Sequence, residues 1–218
     1  MTNIETQKSD IINDLEWRYA TKKFDLNRKI TDIDLNELFE SLRLSPSSFG
    51  LQPWKFVVVN DVKLRTNLRK YAWDQSQITD APHLIVLCAK KDIREEDIDE
   101  YINEISKLRR ISLADLTGFK EVLTGYRKNT TKEFIANWTK RQVYIALGFL
   151  MANAAKKRID SCPMEGFDNE KFDKLLGLNN SEYCSVVICA LGYRAKDDSY
   201  INLKKVRFSK EKVFDFRT

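Results

Sequence analysis

The sequence predicts an α+β layer fold. Three observations carry this. Apolar runs at residues 55–59, 83–89 and 184–191 have the length and β-branched content of strands. The segments between them carry helical spacing and capping signals. No internal repeat, low-complexity segment or linker interrupts the 218 residues, so residues 1–218 read as one domain.

Each element follows from its residues. Ser9 opens a helix bearing Ile11, Ile12 and Leu15. Thr31 caps a second helix, with Asp34 three positions on and Leu35, Leu38, Phe39 and Leu42 at three- and four-residue spacing. Pro46 and Gly50 then break the pattern before the strand at 55–59. Leu64, Leu68 and Tyr71 give another helix. The run 83–89 is apolar almost throughout, as expected of a strand buried on both faces. Residues 92–128 are charged and weakly periodic and read as peripheral, mobile helices. Residues 130–133 (Thr-Thr-Lys-Glu) read as a capping box for the longest helix, whose second half is apolar on both faces and therefore belongs in the centre of the structure or in a dimer interface. Residues 159–167 read as a turn, and Asp168 caps a short helix that stops at Gly177. The last 25 or so residues hold only isolated apolar anchors (Val206, Phe208, Val213, Phe214). Such a tail is either frayed or laid across another subunit.

Composition excludes several functions. The net charge of +5 suits an anionic ligand, but Lys and Arg form no basic block, so nucleic-acid binding is not expected. A single histidine, His83, and four cysteines without C-x-x-C rule out a His-rich metal site and a redox pair, so no metal is assigned. The first ten residues lack an apolar leader core, and no apolar stretch reaches 18 residues; a reduced, cytoplasmic protein without a membrane span is expected. The seven glycines are too scattered for G-x-G-x-x-G or a P-loop. Any nucleotide phosphate must be held by side chains.

Four segments can do so. In 18–24 (Arg-Tyr-Ala-Thr-Lys-Lys-Phe), Arg18 and Lys22 can converge on one anion; alone, the segment reads first as a solvated basic helix end. Residues 45–54 (Ser-Pro-Ser-Ser-Phe-Gly-Leu-Gln-Pro-Trp) form a fixed, donor-rich loop leading into a strand. Residues 163–167 (Pro-Met-Glu-Gly-Phe) can present consecutive N–H groups, or be a plain turn. Lys204, Lys205 and Arg207 form a candidate phosphate clamp, or a solvated tail. Nucleophile triads fare worse: they would need His83, which borders a buried strand, and no G-x-S-x-G occurs.

In this order, from about Arg18 to Arg207, the segments resemble the nitroreductase family of FMN-dependent flavoproteins, in particular its oxygen-insensitive NAD(P)H nitroreductase and dihydropteridine reductase type. The resemblance implies a mostly antiparallel sheet between helices. It implies an intertwined homodimer whose C-terminal tails are exchanged, with FMN at the interface. Arg18, Lys205 and Arg207 would bind the phosphate, with Tyr19 and Ala20 beside them, and Lys22 would lie near the N1/O2 edge of the ring. Pro46, Ser47, Ser48 and Gly50 would line the flavin from the other subunit. Backbone at Pro163, Met164, Glu165 and Gly166 would cover the ring; Gln142, Asp74 and Gln77 complete the set. Ala20 stands where the family usually has Ser, and Asp74 where Asn is common. An acid there would disfavour flavin reduction. The implied reaction is ping-pong: NAD(P)H reduces the flavin at N5, and a nitroaromatic or quinone reoxidises it. No side chain need act as acid or base, so no catalytic residue is assigned. Pteridine, flavin or enone reduction at the same site, and a non-catalytic FMN-binding or redox-sensing role, are the alternatives.

Overall fold

The computed structural model describes residues 9–217. The reading of a missing leader falls mostly on residues 1–8, outside the described residues. In chain order the elements are α1 (Asp10–Trp17), α2 (Asp32–Arg43), β1 (Trp54–Val59), α3 (Val62–Arg69), α4 (Gln77–Asp80), β2 (His83–Lys90), α5 (Glu95–Arg109), α6 (Thr117–Lys128), α7 (Lys132–Lys156), β3 (Asp160–Met164), α8 (Asn169–Leu175), β4 (Tyr183–Gly192) and α9 (Lys210–Val213).

The strands form one antiparallel sheet in the order β1-β2-β4-β3. The two-residue period of β2 sets its layers. Leu84, Val86 and Cys88 face one core with Leu68 of α3 and Phe172 of α8. Ile85, Leu87 and Ala89 face another with Leu38 and Leu42 of α2 and Val143, Leu147 and Leu150 of α7. Helices therefore cover both faces, as the uninterrupted apolar run required. Each fully buried Leu, Ile or Phe contributes roughly 1.5–3 kcal/mol. At the end of β4, Gly192 sits so close to its neighbours that a Cβ would lie 2.5 Å from Pro82 Cδ and 2.8 Å from Phe24 Cδ1.

Local signals place the helix starts. The Thr31 hydroxyl accepts from Asp34 N at 3.1 Å, and Asp168 accepts from Lys171 N at 3.0 Å. The long helix begins one residue later than its sequence pattern predicts. Thr131, not Thr130, is the cap, accepting from Phe134 N at 3.2 Å, so Glu133 lies one residue short of the capping-box position.

One expectation is overturned. Residues 160–164 are not part of a turn but an edge strand, β3, pairing with β4. Its polar residues mask it in sequence; Asp160 and Ser161 are both buried, and donors from Thr21 and Arg194 satisfy the Asp160 carboxylate. Residues 92–128 form helices, as expected, but they pack more extensively than their charge implied. Ile98, Ile102 and Ile105 of α5 join Leu116, Leu123, Ile135 and Trp138 in a third apolar core. Lys90 in β2 pairs with Asp97, which ties α5 to the sheet. Among the described residues no helix is long and apolar enough to cross a membrane.

Candidate flavin site

The first site segment leaves α1 at Arg18 and runs along the sheet edge. Ala20 forms a parallel bridge with Ser161 of β3. Thr21 donates to Asp160 Oδ1 at 3.2 Å, and Arg194 donates to the same carboxylate through Nε and its backbone N, both at 2.8 Å. Asp198 accepts from Lys22 N at 2.9 Å, Lys23 N at 3.1 Å and Tyr19 OH at 3.0 Å. The backbone of residues 19–23 is thus held by two carboxylates before any ligand is considered.

The tail returns to this point. Lys205 donates to Leu15 O at 2.8 Å and to Arg18 O. Arg18, Lys205 and Arg207 line a cavity of about 470 Å³ with Trp17, Tyr19 and Tyr200; Glu16 also borders it. Burial pushes the Arg18 pKa below its ordinary value, and the neighbouring Arg207 charge adds to this. Burial, then Arg18 and Arg207, pushes Lys205 down likewise. The buried Nε of Arg18 has no hydrogen-bond partner. Like charges gathered around an orphaned guanidinium N–H form a site that an anion with several acceptor oxygens satisfies. A phosphate fits these residues.

A second group surrounds the end of β3. Met164 is buried and Pro163 half-buried. Glu165 Oε1 accepts from Tyr144 OH of α7 at 2.6 Å. Gly166 O accepts from Gln75 Nε2 at 3.1 Å. Trp73 lies flat against Gly166, where a Cβ would meet its ring at 2.6 Å. Gln77 is buried beside the Cys162 thiol; burial raises that thiol's pKa, while Lys22, Gln77 and Arg18 pull it the other way. The Lys22 ammonium stands 5.7 Å from the Tyr200 ring centre. Lys22, Arg18 and Gln77 therefore gather around one edge of the sheet. Asp74 points away into solvent, 2.8 Å from Arg69 Nε, so its charge is compensated.

The third group is the loop before β1. Ser48 N donates to Gln142 Oε1 at 2.9 Å, and Ser47 Oγ accepts from Gln52 N at 2.9 Å. Phe49, Gly50 and Gln52 hold φ of 57°, 75° and 47°. For Phe49 and Gln52 this is a strained conformation, costing of order 1–3 kcal/mol each. Pro46, Ser47 and Gly50 face a separate cavity toward α5.

Within one chain the loop group lies across α7 from the other two. Gln142, which holds the loop, and Tyr144, which holds Glu165, are two residues apart on α7, hence about 200° apart around its axis. The helix stands between them. Tyr144, Ile145 and Phe149 form an exposed apolar face of α7 that borders a groove against Ile11 and Leu15 of α1.

Sequence reasoning missed Asp160, Arg194 and Asp198, which fix the first segment, and Trp73, which covers Gly166. Asp198 lay in a polar stretch with no periodicity. Trp73 carries no motif; only its position five residues after Leu68 placed it beyond a helix end.

The chain belongs to the nitroreductase family, whose model matches residues 15–193. It is 33% identical over 214 residues to a protein of Staphylococcus saprophyticus provisionally named NAD(P)H nitroreductase, covering 94% of this chain and 96% of that one. It is 35% identical over 209 residues to YfkO of Bacillus subtilis, which carries the same provisional name, covering 90% and 93%. Among solved structures, a provisionally named nitroreductase of Bacillus subtilis superposes with a TM-score of 0.85 at 21% identity, covering 95% of this chain and 99% of that one. A provisionally named nitroreductase of Exiguobacterium sibiricum, solved with FMN, gives 0.80 at 18% identity, covering 96% and 98%. These likenesses bear out the antiparallel α+β fold.

Proposed function

We propose that the protein is an FMN-dependent NAD(P)H oxidoreductase of the nitroreductase type that acts as one domain, binds FMN between two copies of the chain, and passes electrons to small acceptors such as nitroaromatics or quinones. The observation that carries this reading is the cationic cavity at Arg18, Lys205 and Arg207, with the partnerless Arg18 Nε buried beside it. FMN, when bound, supplies the two-electron chemistry at N5.

The chain's residues then have distinct tasks. Arg18, Lys205 and Arg207 hold the phosphate, with Tyr19 and Ala20 at its edge. Lys22 places a positive charge where the reduced ring system gathers negative charge, which favours reduction. Pro163, Met164, Glu165 and Gly166 line the ring, with Gln77 beside them. The Tyr144 hydroxyl bonded to Glu165 fixes that segment to α7. Asp74 is exposed and paired with Arg69, so its acid charge need not oppose reduction.

Pro46, Ser47, Ser48, Gly50 and Gln142 lie on the other side of α7. They complete a site only when a second chain supplies them. A two-fold dimer does so twice, with equivalent sites. The exposed apolar face of α7 and the tail anchors Val206, Phe208 and Phe214 are the surfaces such a dimer would cover, with the tails exchanged.

The test is an absorption spectrum of the purified protein under argon, before and after NADPH or NADH. Flavin bands that bleach, and return when a nitroaromatic or quinone is added, are expected. A colourless protein that takes up no added FMN would overturn the proposal. Bleaching without reoxidation by any acceptor would leave only a flavin-binding role.

A further inference from the structure

The loop at residues 46–50 is held from two directions, and one of them is the third core. Phe49 turns its ring toward α6 and α7, with centroids 5.2 Å from Tyr126 and 6.5 Å from Trp138, which are themselves 5.8 Å apart. Trp138 is buried among Ile98, Leu123 and Ile135, and Leu51 packs on the same cluster. Gly50 approaches α5 so closely that a Cβ would fall 2.1 Å from Tyr101 Oη. Tyr101 in turn meets Phe119 of α6 edge-on at 6.4 Å. Three consecutive residues, 49–51, therefore dock on the unit built by α5 and α6. The backbone that presents Ser47 and Ser48 runs through left-handed conformations at Phe49, Gly50 and Gln52. A non-glycine residue keeps such a conformation only where its surroundings over-determine it.

We propose that Phe49 is a positioning residue. Seated against Tyr126 and Trp138, it holds the strained loop in its flavin-receiving shape. Through it, the packing of α5 and α6 controls how tightly the site closes on the flavin. The inference rests on the FMN reading above and deepens it: the helical unit at 92–128 acts on the cofactor. Phe49 needs no contact with the flavin for this. Its ring faces the third core, and its effect passes through the backbone that carries Ser47 and Ser48.

The test uses full-length protein. FMN affinity is measured by fluorescence quenching, and the environment of the bound flavin by its visible circular dichroism. The parent chain must first bind FMN; if it does not, the functional reading fails and not this one. Given binding, Phe49→Ala is expected to raise the Kd for FMN about tenfold and to change the visible dichroism, since an aromatic contact of this kind is worth about one factor of ten. Phe49→Tyr, which keeps the ring at a position 37% exposed, restores both. Tyr126→Leu, which leaves the loop sequence intact, gives the same two changes and decides the matter should Phe49→Ala fail to fold. Unchanged affinity and an unchanged flavin spectrum in either folded variant would overturn the proposal.

Discussion

Replacing Arg207 by Ala separates the phosphate clamp from everything else the tail does. The side chain is exposed, and its one hydrogen bond, 2.6 Å long, goes to the carbonyl of Val206 next to it. Its other effect is electrostatic: its charge depresses the pKa of both Arg18 and Lys205. Without ligand, the variant therefore loses no core contact and is relieved of a like-charge repulsion. Its melting temperature should stay level or rise slightly. With FMN, it loses one charged hydrogen-bond donor to the phosphate. That loss is worth about 1.5–3 kcal/mol, or roughly 10- to 150-fold in Kd. The assay is flavin fluorescence quenching with two ligands. FMN binding should weaken by that factor, whereas riboflavin, which lacks the phosphate, should bind parent and variant alike. Added salt should narrow the gap for FMN. Equal weakening of both ligands, or no change for FMN, would refute the reasoning and remove the tail from the site.

Further expectations follow from the packing. Gly192→Val should cost about 1–3 kcal/mol in urea unfolding, because Pro82 and Phe24 leave no room for a side chain; an unchanged midpoint would show that the strand end yields. For Asp97, burial works to raise the pKa, but hydrogen bonds from Lys90 and the Arg94 backbone outweigh it and hold the carboxyl below its ordinary value. Its stabilising effect is thus complete above the unfolded pKa of about 3.9 and is lost as the pH falls through the lower folded value. Acid unfolding followed by circular dichroism should show this loss, and Asp97→Asn should abolish that part of the pH dependence while lowering stability at neutral pH by about 1.5–3 kcal/mol. Trp73→Ala uncovers the backbone at Gly166, so steady-state rates across a set of acceptors should change in ratio; a uniform change would show that Trp73 does not shape the pocket.

The sequence was most readable where a local pattern suffices. The apolar run through β2 announced a strand with two covered faces, and Thr31 and Asp168 announced their helices by capping. The ten residues from Ser45 to Trp54 marked a loop whose left-handed backbone is visible only in three dimensions. What stayed hidden depends on distant partners. The strand β3 reads as a turn because Asp160 and Ser161 are polar, and the donors that make the burial of Asp160 tolerable, Thr21 and Arg194, lie far away in sequence. The isoleucines of α5 kept helical spacing, but the charges around them hid a core that draws on α6 and α7 as well. The basic tail gave no sign that Lys205 reaches back 187 residues to the Arg18 carbonyl. Spacing along α7 puts Gln142 and Tyr144 on opposite sides of the helix, but does not show that one holds Ser48 and the other Glu165.

The most direct test of a site shared between two chains is complementation. One variant carries Arg18→Ala and Arg207→Ala and lacks the clamp. The other carries Gly50→Val, which distorts the loop through its φ of 75° and the contact with Tyr101. Each alone should bind FMN poorly. After co-refolding, mixed dimers should hold one intact site each, so about a quarter of all sites should regain parental affinity in a fluorescence titration. Recovery of that fraction is the expected result. No recovery, with mixed dimers confirmed by mass, would contradict a flavin site built from two chains.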